Sequence, residues 1–262
     1  MRFGRRQKNS QIGRELKNAW RYVTVTLALA LLLAATVFVF WAGDAAPATD
    51  VALDALMSDS QVYVSAENGW VIFFPAEDPR PETGFVFYPG GRVDYRAYAP
   101  VLRLIASRGY FVALVPVPLN LAMFDVNAAA RVQAKYPEIQ NWFVGGHSLG
   151  GVAASSYAAS HPNIKGVVLW ASAPGNDSLK VADVPALSVY AARDGVFSLQ
   201  MIQDSRTLLP ADARFVAIEG GNHSQFGSYG LQAGDNLPDI SSLEQWTRTA
   251  EATVEFFMEV VR

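Results

Sequence analysis

The stretch Gly145-Gly146-His147-Ser148-Leu149-Gly150-Gly151 decides how this chain folds. It holds the pattern G-x-S-x-G, with Ser148 between Gly146 and Gly150. An apolar run, Trp142-Phe143-Val144, precedes it, and a small-residue run from Val152 to Ser160 follows with the composition of a helix. Strand, sharp turn and helix in that order make a nucleophile elbow. The turn drives the serine backbone into a strained conformation, so side chains two residues to either side would collide. A helix that starts at once aims its amide dipoles at the serine and favours negative charge there. Ser148 is the candidate nucleophile.

A serine hydroxyl needs a base, and the chain has three histidines. His147 lies inside the elbow, and its position there is expected to point it elsewhere. His161 precedes Pro162 at the end of the following helix and reads as a surface cap. His223 sits in the glycine-rich run Gly220–Gly227, just after the last strand-like segment, where a loop can swing an imidazole over the sheet edge. The acid that orients this imidazole should fall between serine and histidine in the chain. Asp194 follows the strand-like run Ala186–Tyr190, at the carboxyl end where open α/β sheets place their sites. Asp177 and Asp183 precede that strand, Asp204 and Asp212 lie in or after a helix, and Glu219 is on the strand that carries His223. Asp194 is the expected acid. An oxyanion needs two donors: the backbone N–H of Leu149, and one from the loop Gly90-Gly91-Arg92 after an earlier strand.

The rest of the chain supplies the frame. Gln61–Ser65 and Trp70–Phe74 flank Glu67-Asn68-Gly69 as a hairpin. Gly84–Tyr88, Tyr110–Val115, Gly166–Trp170, Ala186–Tyr190 and Arg214–Ile218 read as strands. Tyr95–Arg108, Leu121–Lys135, Leu199–Leu208 and the segment from Ser242 read as helices. Strands alternating with helices predict an α/β fold with a mostly parallel, doubly wound sheet covered on both faces. The connection from Trp170 to Ala186 is short, leaving little or no room for a cap domain.

The N-terminal part is of another kind. Val23–Trp41 is an uncharged run of the length a membrane-spanning helix needs, flanked by Trp20, Tyr22 and Trp41 as interfacial anchors. The first 21 residues carry seven basic side chains and one acid, Glu15. This predicts a basic cytoplasmic tail (1–21), a transmembrane helix (22–41), a tether (42–57) and an extracytoplasmic domain (58–262). The competing reading is a cleaved secretion signal, with Ala46-Pro47-Ala48 as its site. Beyond residue 21 the chain has 14 basic and 23 acidic residues, which argues against a nucleic-acid partner. The absence of cysteine excludes disulfides, thiolate catalysis and a cysteine-based zinc site.

Five segments together resemble the α/β-hydrolase superfamily, and within it the fold-5 group related to dienelactone hydrolases. They are YPGG (Tyr88–Gly91), VPVPLNLAMF (Val115–Phe124), GGHSLGG (Gly145–Gly151), ARDGV (Ala192–Val196) and GGNHSQFGSYGLQAGD (Gly220–Asp235). The resemblance implies a Ser148–Asp194–His223 triad, with oxyanion donors at Leu149 and Gly91 and neither cofactor nor metal. Pro89 stands where many members have histidine, and Ser148 stands where dienelactone hydrolases have cysteine. The expected activity is hydrolysis of a small ester-like substrate (carboxylic ester, thioester or lactone) through an acyl-enzyme. The alternatives are acyl transfer by the same triad, and a non-catalytic anchored binding protein. Loops 117–124, 171–184 and 226–237 are expected to set the substrate.

Overall fold

The computed structural model describes residues 3–77 and 81–262, with side chains from Trp20 onward. The chain divides into two compact units, Met1–Asp44 and Ala45–Arg262.

The first unit is one helix, α1 (Phe3–Gly43). Its segment Trp20–Gly43 has 24 residues, and the most apolar 18-residue window within it has a mean hydropathy of 2.6 and no buried residue. At about 1.5 Å per residue the segment spans roughly 36 Å, enough for the ~30 Å hydrocarbon core of a bilayer. The hydroxyls of Thr24 and Thr36 donate to the carbonyls of Arg21 and Leu32 (2.9 and 2.8 Å), so these polar side chains are satisfied on their own helix. A helix of this kind serves as a membrane anchor or as a signal sequence. The basic side chains from Arg2 to Lys17 lie outside the described residues.

The second unit is built on an eight-stranded sheet: β1 (Val62–Glu67), β2 (Trp70–Pro75), β3 (Thr83–Tyr88), β4 (Phe111–Leu114), β5 (Asn141–His147), β6 (Ile164–Trp170), β7 (Ala186–Ala191) and β8 (Arg214–Ile218). The order is β1-β2-β4-β3-β5-β6-β7-β8. Strands β3 to β8 are parallel, and β2 runs antiparallel to both its neighbours. The expected hairpin turns at Asn68 and Gly69, both left-handed (φ 53° and 82°), as a tight turn between twisted strands requires.

Alternation along the strands splits the core in two. In β3, Phe85 and Phe87 face one layer while Val86 and Tyr88 face the other. The first layer is covered by α3 (Ala99–Ala106) and the long C-terminal helix Ser242–Val261. Its centre is aromatic, with Phe87 against Trp170 (centroids 4.5 Å apart) and Phe143 against Phe257 (4.4 Å). The second layer is covered by α4 (Ala128–Lys135), α5 (Leu149–Ser160) and α6 (Ser178–Val181). The four residues of α6 are the helical content of the connection between β6 and β7.

Two stretches differ in detail from the sequence reading. The helix expected over Leu121–Lys135 begins only at Ala128. Before it the chain makes 3-10 turns at Pro118–Asn120 and Ala122–Phe124, with Leu119 and Asn120 left-handed (φ 53° each). Here the Arg92 N–H donates to the Asn120 carbonyl (2.9 Å), and the backbone closes turn bonds instead of helical ones, Phe124 N–H to the Leu121 carbonyl (3.1 Å) and Asp125 N–H to the Ala122 carbonyl (3.0 Å). The stretch read as a tether holds a short helix, α2 (Asp50–Asp54). Ala46 forms a parallel bridge with Val93, and the Thr49 N–H donates to the Ser228 carbonyl at 2.9 Å.

From β3 the chain moves to β4 on one side, then returns to β5 on the other. That reversal opens a crevice at the carboxyl ends of β3 and β5, where such sheets bind ligands. The crevice is bounded by a close approach. A Cβ added to Gly150, at the start of α5, would strike the backbone carbonyls of Tyr88 and Pro89. Gly150→Ala is therefore expected to destabilise the protein by about 3 kcal/mol, since backbone cannot yield as a side chain can. Thermal unfolding should register a midpoint lower by roughly 6–12 °C.

Candidate active site

Ser148 joins β5 to α5 with φ 51° and ψ −122°, a conformation costly for a side chain. Three hydrogen bonds hold it there. Its N–H donates to the Trp170 carbonyl (3.0 Å), and its carbonyl accepts from the Gly151 N–H (3.0 Å) and the Ser172 hydroxyl (2.6 Å). A Cβ on Gly146 would strike Gly150, so the glycines flanking the serine are sterically required. The Leu149 N–H, in the first turn of α5, has no acceptor within the helix.

Asp194 lies just past the carboxyl end of β7, and His223 lies in the loop after β8. Asp194 Oδ2 and His223 Nδ1 are 2.8 Å apart, with both side chains 1% exposed. The other carboxylate oxygen accepts from the N–H groups of Val196 (2.8 Å) and Phe197 (2.6 Å). The carboxylate is thus fixed on both sides, and it fixes the imidazole with Nε2 opposite. His223 Nε2 is buried and has no hydrogen-bond partner among the described residues.

Among the loop amides after β3, the Gly90 N–H donates to Tyr98 Oη (3.0 Å) and the Arg92 N–H to the Asn120 carbonyl (2.9 Å). Both neighbours of Gly91 are thus committed within the protein. Gly91 is in contact with the elbow: a Cβ there would lie 2.5 Å from Leu149 Cδ1. Among the described residues no group of three or more His, Asp or Glu side chains converges as a metal ion would need.

His147 does not point away from the site. Its ring lies 4.4 Å from that of His223, is 1% exposed, and accepts or donates at Nδ1 to Tyr98 Oη (2.8 Å). β5 continues through His147, so alternation from Phe143 sends residue 147 to the layer that holds Tyr98 and Phe226. That alternation was the available signal. Burial, followed by the neighbouring His223, holds the His147 pKa well below 6.5. His161 does cap its helix, with Nδ1 2.8 Å from the Tyr157 carbonyl.

Two further residues, to which the sequence assigned no role, hold the loops of the site. Asp235 Oδ2 accepts from the N–H (2.8 Å) and hydroxyl (2.6 Å) of Ser224, and Oδ1 from the N–H groups of Gly195 (3.0 Å) and His223 (3.3 Å). One carboxylate thereby ties the loop bearing Asp194 to the loop bearing His223. Burial works to raise its pKa, but these donors outweigh that and hold it below the usual carboxylate value. Gln245, on helix α8 (Ser242–Val261) after α7 (Leu199–Ser205), is fully buried. It exchanges two hydrogen bonds with the Asn222 backbone, immediately before His223 (3.1 and 2.8 Å).

A doubly wound sheet with a strained serine at a strand-to-helix turn is the α/β-hydrolase fold. The chain belongs to the alpha/beta hydrolase family, whose model matches residues 84–247. No curated protein sequence matches it. Its fold is shared with the esterase domain of a Rhodothermus marinus protein (14% identity, TM-score 0.59, covering 77% of this chain and 98% of that one). It is similar to Est1E from Butyrivibrio proteoclasticus (14%, 0.57, 77% and 99%). It is similar too to a membrane phospholipase A described as a bacterial virulence factor (15%, 0.57, 92% and 99%).

Removing the Asp235 carboxylate should loosen both loops. Asp235→Ala is expected to cost about 2 kcal/mol or more in urea unfolding, because charged acceptors leave buried donors unpaired. His147 predicts a pH effect. Its folded pKa is depressed, so its contribution to stability is full above about 6.5, the ordinary histidine value, and is lost as pH falls towards the folded value. Urea midpoints compared at pH 7.5 and pH 5 should fall less in His147→Asn than in the wild type.

Proposed function

We propose that this chain is a membrane-anchored serine hydrolase that cleaves an ester-like bond through Ser148, Asp194 and His223. The observation that carries the reading is the buried 2.8 Å pair of Asp194 and His223, with the His223 ring 4.4 Å from that of His147, the residue directly before the strained Ser148. Asp194 accepts the Nδ1–H of His223, so the free Nε2 is the basic nitrogen. It takes the Ser148 hydroxyl proton as Oγ attacks the substrate carbonyl carbon. The oxyanion is held by the N–H groups of Leu149 and Gly91. His223 then returns the proton to the leaving alcohol or thiol, and an acyl-enzyme remains. Water, deprotonated by His223, attacks that acyl group, and the carboxylic acid leaves as Ser148 regains its proton. A lactone would follow the same steps and open to a hydroxy acid.

The seven basic residues that precede the apolar helix support an anchor with a cytoplasmic N-terminus and the catalytic unit on the outer side. The neighbours named as an esterase domain and a membrane phospholipase A are in keeping with an ester substrate.

The full-length protein in detergent should be labelled by a fluorophosphonate probe, and Ser148→Ala should abolish the label. Asp194→Asn should lower kcat on a p-nitrophenyl ester about 1,000-fold or more, because the imidazole loses its oriented tautomer. Wild-type protein that stays unlabelled where a known serine esterase labels would sink the reading.

A further inference from the structure

Tyr98 lies far from the triad in sequence, yet it touches three parts of the site at once. Its ring is fully buried in the 3-10 turn Tyr95–Tyr98 that leads into α3, 5.1 Å from the Phe87 ring. Its hydroxyl accepts the Gly90 N–H at 3.0 Å and lies 2.8 Å from His147 Nδ1. Beside it, the Ala97 carbonyl accepts the Ser228 N–H at 2.8 Å, which binds the loop after His223 to the same turn. A Cβ on Gly227 would lie 3.3 Å from the Tyr98 ring, so the two pack closely.

The protons in this chain can be assigned. Tyr98 Oη already accepts from Gly90, and His147 Nδ1 is its remaining partner. The phenolic proton is satisfied only if it is donated to Nδ1. Nδ1 is then an acceptor, and the neutral His147 ring carries its proton on Nε2. That nitrogen is buried without a hydrogen bond of normal geometry. The ring is enclosed by Tyr98 (5.6 Å), Phe226 (5.6 Å) and His223 (4.4 Å). It is closely confined. A Cβ on Gly90 would lie 2.6 Å from Tyr98 Oη and 2.8 Å from His147 Nδ1, so no side chain fits at this junction.

We propose that Tyr98 and His147 are positioning residues, forming a brace Gly90 N–H→Tyr98 Oη–H→His147 Nδ1 that sets the oxyanion loop and the His223 ring against Ser148. In this brace, anchoring the Gly90 N–H fixes the start of the loop whose next amide is that of Gly91, the proposed oxyanion donor. His147 directly precedes Ser148, so the acceptor end of the brace moves with the nucleophile. Its ring forms the floor on which the His223 imidazole rests. The brace therefore couples the donor, the nucleophile and the base. It acts on the transition state more than on substrate binding, because an oxyanion forms only during the reaction.

This inference rests on the serine-hydrolase reading, and the test separates the two. Full-length wild type, Tyr98→Phe, His147→Leu and His147→Asn are compared in detergent on p-nitrophenyl acetate and by rate of fluorophosphonate labelling. Tyr98→Phe keeps the ring and removes the hydroxyl. His147→Asn places an oxygen acceptor near Nδ1, whereas His147→Leu fills similar space with none. The expected result is a tenfold or larger fall in kcat and in labelling rate for Tyr98→Phe and His147→Leu. KM should stay within about threefold, and His147→Asn should recover most of the rate. Outright loss of an oxyanion donor costs on the order of 100-fold or more, which sets the upper scale. A fall confined to KM, equal losses in His147→Asn and His147→Leu, or wild-type labelling rates in Tyr98→Phe would each overturn the brace while leaving the hydrolase reading intact. No Ser148-dependent labelling in the wild type overturns that reading instead. Circular dichroism and thermal midpoints identify a variant that has merely unfolded, and the remaining variants then decide.

Discussion

The structure depends on one crowded junction, where the start of α5 is pressed against the end of β3. Gly150 lies so near the carbonyls of Tyr88 and Pro89 that no side chain is possible. That closeness has two effects. It holds the serine between strand and helix in a backbone conformation with positive φ (51°). It also brings the loop Gly90–Arg92 beside the first amide of α5, so the two oxyanion donors of the proposed mechanism share one crevice. Such preorganisation is costly, and the cost is met by the layers around it.

Those layers explain why the junction holds. β5 and β6 are almost wholly buried, and an aromatic group of Phe85, Phe87, Phe143, Trp170 and Phe257 fills the face beneath them. A core of large rigid rings transmits little motion to the strand ends. Above the sheet edge, the polar links take over. Ser172 holds the Ser148 carbonyl, Asp235 joins the Asp194 and His223 loops, and Gln245 grips the backbone before His223. Each loop that carries a candidate side chain is thus tied to an element other than its own strand.

Much of this was legible in the residue order. The alternation of strand-like and helical runs predicted the parallel sheet, since both periodicities follow from local backbone geometry. The glycine spacing around Ser148 predicted the elbow for a similarly local reason. The segment 121–135 was less legible, because its propensity is helical while its first residues close turn bonds, Phe124 to Leu121 and Asp125 to Ala122. His147 was misjudged by its place in the elbow, although counting alternate residues from Phe143 would have turned it inward. Residues 42–57 looked like spacer, and the pairing of Ala46 with Val93 and of Thr49 with Ser228 has no local signature.

By itself, then, the sequence determined the fold class, the apolar N-terminal helix, and which serine, histidine and aspartate deserve to be tested. These follow from spacing within a few residues, or from the order of elements along the chain. Only the tertiary structure decided what surrounds them. Tyr98 meets His147 across 49 positions, and Asp235 meets Gly195 across 40. No short-range pattern encodes such pairs. They exist because the sheet brings the ends of distant strands to one edge, where buried polar groups must find partners.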